Sequence, residues 1–187
     1  FRGGKLPVSG VSGGEWALFC AALAAEGVGT LALDLRGHAG SRLGPQGSTD
    51  FTGFDARGAW PAAAEDLRAA AVWLKSRGVP NERIAFGGAS IGANLASVVA
   101  AGRKTAPFLL LLSPAGNYRG VALKTRKGLK TFAAAAPDDG YAFVGVTALE
   151  ASKAATVLYA PGGHGVQMFA DPATFKSIVA WTVKSSR

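Results

Sequence analysis

Apolar residues along this chain follow two alternating rhythms. Short β-type apolar runs stand at Leu6-Pro7-Val8, Gly29 to Leu33, Arg83 to Phe86, Pro107 to Leu112, Lys130 to Ala136 and Thr156 to Tyr159. Between them, apolar residues recur at helical spacing. Glu15 to Glu26 predicts a helix with Trp16, Phe19 and Leu23 on one face, closed by Gly27. Trp60 to Arg77 predicts another, with Leu67, Ala70, Ala71 and Leu74 inward, ended by Gly78. Ser90 to Ala101 is an Ala-rich helical run. Asp171 and Pro172 suit the N-cap and first turn of a last helix with Phe175, Ile178 and Val179 inward. Strand and helix patterns in alternation predict parallel βαβ units. The uniformly apolar Pro107 to Leu112 suits a strand covered on both faces. The expected class is α/β: a three-layer sandwich whose predominantly parallel central sheet has about six strands, with helices on both faces. No repeat, low-complexity tract or linker interrupts residues 1–187, so a single domain is expected.

Composition narrows the class. The 187 residues are 49% apolar and 17% charged, a globular rather than a disordered balance. The longest apolar run, Ala106 to Leu112, is too short for a bilayer span, so no stable membrane insertion is expected. The chain starts at Phe1. The expectation is a soluble protein of bacterial type, cytoplasmic or secreted after removal of an N-terminal segment. Cys20 is alone, so the sequence allows no intrachain disulfide, and its apolar helical surroundings predict a small buried hydrophobe. The net charge is +8, and Arg119 to Lys130 holds five basic residues and no acidic one. That segment reads as a solvated loop first, and as a site for an anionic substrate or a membrane surface second. Nucleic acid is not expected, because the basic residues do not alternate with exposed aromatics.

Candidate chemistry begins at Gly88-Ala89-Ser90-Ile91-Gly92, set between an apolar run and a helical one. A G-x-S-x-G at a strand-to-helix switch fits a nucleophile elbow, with helix N-terminal amides aimed where an oxyanion forms. Glycine is 26 of 187 residues, so the bare pattern is weak, and Gly10-Val11-Ser12-Gly13-Gly14 matches it too. Of the two histidines, His38 and His164, the second lies in a Gly-rich loop after a strand run and is the expected base. Its acid should lie after the preceding strand, where Asp138 and Asp139 are adjacent; Glu150 is an outside candidate. Ser90, Asp139 and His164 each follow a strand run, so they are placed to converge beyond the carboxyl ends of the sheet. His, Cys and paired carboxylates are too sparse for a metal set. Gly3-Gly4-Lys5 does not make a phosphate loop, and no G-x-G-x-x-G opens a helix, so no cofactor is expected.

Four segments in order resemble the α/β-hydrolase superfamily: Asp34-Leu35-Arg36-Gly37-His38-Ala39-Gly40-Ser41, the elbow, Leu112-Ser113-Pro114, and Pro161-Gly162-Gly163-His164-Gly165. The likeness is to a small lidless serine esterase. It implies Ser90 as nucleophile, His164 as base, His38 as a structural residue, and Asp139 as acid, since Asp139-Gly140-Tyr141 is similar to the family's D-x-[YV] step. It also resolves the two serines. Ser9-Gly10-Val11 stands where the family has His-Gly-x, so the N–H groups of Val11 and Ile91 would form the oxyanion hole. Ser12 is then a turn residue, and Ser9 replaces the usual histidine. The resemblance implies a core without the family's usual first two strands, which would leave Gly29 to Leu33 as an exposed edge, and a homodimer through that edge is the expectation. Only about 17 residues separate Leu112 from the next strand, room for a small flap and not a helical cap. An open site suits short-chain or accessible acyl esters, as a small molecule or a polymer. Trp60 and Tyr118, with Phe51 and Phe54, are candidates to line it. The alternatives are another acyl hydrolase or acyltransferase on the same fold, acting on a thioester, lactone or amide, and a non-catalytic ligand-binding relative.

Overall fold

The structure, a computed structural model, describes residues 15–44 and 47–187. The expected strand at Leu6 to Val8, and with it Ser9, Val11 and Ser12, lies outside the described residues. Four strands form the central sheet: β1 (Phe86–Ala89), β2 (Phe108–Leu112), β3 (Lys130–Ala135) and β4 (Thr156–Tyr159). They lie side by side in chain order, every pair parallel.

Period-2 alternation divides the strand side chains between two cores. Leu109, Leu111, Ala133 and Ala135 face one cluster; Leu110, Leu112, Phe132 and Ala134 face the other. The first is closed by α2 (Ala64–Ser76), α3 (Ile91–Gly102) and α4 (Gly140–Ala151), through residues such as Ala71, Leu95, Ala96, Val99, Val146 and Leu149. The second is closed by α1 (Ala17–Ala25) and α5 (Pro172–Ser186), through Phe19, Leu23, Ile178 and Val183. Both faces being covered explains why β2 is apolar at every position and wholly buried. At the start of α5 the Asp171 carboxylate accepts the Thr174 N–H at 2.8 Å and Pro172 takes the first helical position, as the sequence predicts.

The fold departs from expectation in four places. Of the five expected strands that fall among the described residues, four join the central sheet, and residues 28–35 carry no strand pairing there. The strand into the elbow is Phe86–Ala89 and not Arg83 to Phe86, because Asn81–Arg83 forms a 3₁₀ turn after Pro80. Propensity favours Ile84 over glycine, but the ladder against β2 needs small residues. A Cβ on Gly87 would already lie 3.3 Å from the Leu110 Cβ. Trp60–Ala63 is likewise a 3₁₀ turn ahead of α2. Cys20, expected to be buried, is only half-buried, since α1 turns Phe19 and Leu23 inward instead.

The connection from β2 to β3 contains no helix. It folds into a hairpin pairing Asn117–Tyr118 with Val121–Ala122, turned at Arg119 and Gly120, both at positive φ. Asn94 of α3, 0% exposed, holds this crossover in the space a helix would fill. Its amide nitrogen donates to the carbonyls of Ala115 (2.7 Å) and Val121 (2.8 Å), and its oxygen accepts the Ala115 N–H (3.1 Å). Among the described residues no helix is long and apolar enough to cross a membrane.

Candidate active site

The elbow follows from where β1 ends. Ser90 N–H donates to Leu112 O at 2.9 Å, the last rung of the ladder, and α3 starts at Ile91. To reverse direction in one residue, Ser90 takes φ 54° and ψ −127°. That region disfavours a residue with a Cβ, and such strain persists only where the surroundings over-determine it. Here Gly88 allows it: a Cβ there would lie 2.3 Å from Gly92 O. The Ser90 side chain does not cap α3. Ile91, as first helical residue, has an N–H with no intrahelical acceptor, beside the Ser90 hydroxyl and at the positive end of the helix dipole.

His164 sits in the loop after β4, where its N–H donates to Gln167 Oε1 at 3.0 Å. Its Nδ1 lies 2.7 Å from Asp139 Oδ2. A carboxylate only accepts, so this contact places the ring hydrogen on Nδ1 and leaves Nε2 with a lone pair. The Asp139 carboxylate is largely shielded, at 14% exposure, while the His164 side chain stays half-exposed at 49%. Asp139 is the N-cap residue of α4, yet it makes no side-chain cap there, since its carboxylate is committed to the ring. Asp138 turns instead to the loop backbone and accepts Gly163 N–H at 3.4 Å.

The serine and histidine segments meet at the end of β2. Gly165 N–H donates to Ser113 Oγ at 2.7 Å, and a Cβ on Gly165 would stand 3.1 Å from the Ala89 Cβ. The residue after His164 is therefore packed against the residue before Ser90. Among the described residues no hydrogen bond joins Ser90 Oγ to the imidazole. Catalytic hydrogen bonds are often long without substrate and tighten in the complex.

Other sequence candidates stand as follows. His38 stacks on Phe51 with ring centroids 4.1 Å apart, and its Nδ1 lies 3.1 Å from Arg36 O. Trp60 is 3% exposed; its indole N–H donates to Asp55 at 2.8 Å and its ring packs on Phe54, itself buried. Tyr118 is half-buried in the hairpin, 6.0 Å from the ring of Tyr141, two residues after Asp139. Tyr141 Oη donates to Asn117 O at 3.0 Å, which ties the hairpin to the start of α4. Glu150 lies near the end of α4 and accepts the Tyr159 hydroxyl at 2.7 Å, a bond that raises the tyrosine pKa. Two members of the basic segment are engaged: Arg119 pairs with Asp55, and Arg126 donates to the carbonyls of Arg103, Lys104 and Ala106. A cleft of about 550 Å³ between Arg36, Asp50, Phe54 and Arg57 contains none of Ser90, Asp139 and His164. Two residues that order this region were given no role by the sequence: Asn94, and Ser113 within the Leu112-Ser113-Pro114 segment. A buried polar side chain amid an apolar helix is the only hint of Asn94.

A family model described as alpha/beta hydrolase fold matches residues 57–173, which take in the elbow, Asp139 and His164. No curated protein and no solved structure matches the chain.

Proposed function

The chain belongs to the alpha/beta hydrolase fold family, and from that premise we propose that it is a serine hydrolase cleaving carboxylic esters through Ser90, His164 and Asp139. The observation that carries the reading is the 2.7 Å contact between Asp139 and His164 Nδ1, set beside a serine at φ 54° at the start of a helix.

In this mechanism His164 Nε2 takes the proton of Ser90 Oγ as the oxygen attacks the ester carbonyl. Asp139 holds the ring in the required tautomer and stabilises the imidazolium. The Ile91 N–H receives the oxyanion, and the resemblance implies the Val11 N–H as the second donor, each such donor contributing about 3 kcal/mol to the transition state. Collapse breaks the bond to the alkoxy group, which leaves as the alcohol with the proton from His164. Water, deprotonated by the same ring, then attacks the acyl-enzyme, and the acid departs as Ser90 recovers its proton. The half-exposed imidazole and the short hairpin favour short-chain or otherwise accessible esters. Tyr118 and Trp60 are assigned to the substrate side, Tyr118 as a wall of the site and Trp60 as support beneath Arg119, whose guanidinium lies 5.1 Å from its ring.

The test is covalent. A fluorophosphonate probe should label Ser90, and Ser90→Ala should keep its circular dichroism and melting temperature while losing both labelling and p-nitrophenyl acetate hydrolysis. Hydrolysis that persists in Ser90→Ala overturns the assignment. A substrate panel of ester, thioester and lactone then sorts the acyl group.

A further inference from the structure

We propose that Ser113 is a positioning residue for His164, acting through the Gly165 N–H; the inference rests on the reading of Ser90 and His164 as nucleophile and base. Three observations lead to it. Ser113 is 2% exposed, and its Oγ accepts Gly165 N–H at 2.7 Å, the one hydrogen bond of that hydroxyl among the described residues. Its backbone stands at φ 51°, where a non-glycine residue is disfavoured, so the side chain is retained against local strain. And Ser113 continues the end of β2 that also fixes the nucleophile: Leu112 O accepts Ser90 N–H at 2.9 Å, while Ser113 N–H donates to Ala134 O at 2.8 Å.

One strand end thus gauges the distance between two loops that must cooperate. The carbonyl of Leu112 sets the height of Ser90, and the hydroxyl of Ser113 sets the height of the residue joined to His164. The loop has little room to drift toward the elbow, since a Cβ added to Gly165 would lie 3.1 Å from the Ala89 Cβ. Against drifting away, the Ser113 bond ties the residue after His164 to the end of β2, while Asp139 grips the ring and Gln167 and Asp138 hold the loop backbone. Reactive groups misplaced by about 1 Å can lose on the order of a hundredfold in rate. A hydroxyl that touches no reacting atom would then be read in kcat.

Ser113→Gly tests the effect, because glycine accepts the positive φ while the CH2OH group that carries the acceptor is removed. The expected result is a modestly lowered melting temperature, as relief of the strained φ offsets part of the loss of the Gly165 N–H acceptor, with kcat for p-nitrophenyl acetate lowered about 10- to 100-fold in the folded protein, and KM unchanged. The low-field Nδ1 proton resonance of His164 should broaden while the ring signals of His38 stay in place. Ser113→Cys, which keeps a weak acceptor in the same place, should recover part of kcat. Wild-type kcat and an unaltered His164 signal in Ser113→Gly overturn the role of Ser113 alone. A wild-type protein that neither hydrolyses the ester nor labels at Ser90 overturns the hydrolase reading instead, and the positioning role falls with it.

Discussion

The two glycines of the elbow have unequal tasks. A Cβ at Gly88 would meet Gly92 O at 2.3 Å and Gly92 C at 2.4 Å, both backbone atoms that cannot swing aside. A Cβ at Gly92 meets nothing within 4 Å among the described residues, and Gly92 lies in the first turn of α3. Gly88→Ala should therefore lower the melting temperature and abolish probe labelling at Ser90. Gly92→Ala should label normally and match or exceed wild-type stability, by up to about 1 kcal/mol from helix propensity. Equal damage from both changes would mean that the turn is held by something other than the Gly88 approach. The adjacent carboxylates separate in the same way. Asp139→Asn should cut kcat by about 10³ to 10⁴ with the fold intact, through loss of the ring tautomer. Asp138→Asn should leave kcat near wild type, since the amide oxygen can still accept the 3.4 Å contact from Gly163 N–H. Sequence spacing left Asp138 and Asp139 both open, because neighbouring residues share every local pattern. What divides them is the direction in which the chain enters α4, a tertiary property.

At the scale of elements, the crossover after β2 is the departure from a plain βαβ repeat. A parallel connection is ordinarily filled by a helix that covers the sheet. Here the short hairpin buries little, and Asn94 and Ser97 take over: Ser97 Oγ accepts Lys124 N–H at 3.0 Å, beyond the three bonds of Asn94. Asn94→Ala strands two carbonyls and one N–H in a dry interior. It should cost about 3 kcal/mol of stability, read as a lowered urea midpoint with an unchanged slope. A loss under about 1 kcal/mol would show that water enters and replaces the amide. The helices on the two faces were legible because apolar periodicity is a local property. The β1 boundary was not, since it depends on which residues fit against Leu110. Asn94 was not either: a helix position carries no mark of the carbonyls that a later loop will bring to it. The site was legible where a motif encodes backbone geometry, at Ser90. At Ser113 the Leu112-Ser113-Pro114 segment was legible but its bond was not, since the partner lies 52 residues further along the chain.

For the whole molecule, the balance of charge acts against the compact state. The chain holds 20 Lys and Arg against 12 Asp and Glu. Some of the excess is turned to structural use: Arg126 binds three carbonyls near the end of α3, and Arg36 grips Asp66 through Nε and Nη2 at 2.9 and 2.7 Å. The remainder, including Lys124, Lys127 and Lys130, stays exposed along the segment that enters β3. Exposed ion pairs such as Arg68 with Glu65 and Arg187 with Glu26 each contribute about 0–1 kcal/mol and weaken with salt. Repulsion among unpaired cations weakens with salt as well, once the Debye length falls to about 8–10 Å. With positive charges in excess, the second effect is the larger, so raising sodium chloride from 10 to about 200 mM should increase the melting temperature at pH 7, each kcal/mol gained giving about 2–4 °C. Calorimetry in the two buffers decides it. A fall in melting temperature would place the net stabilisation in the ion pairs, and Arg36→Met, which removes the best-formed of them, should then reduce the salt dependence.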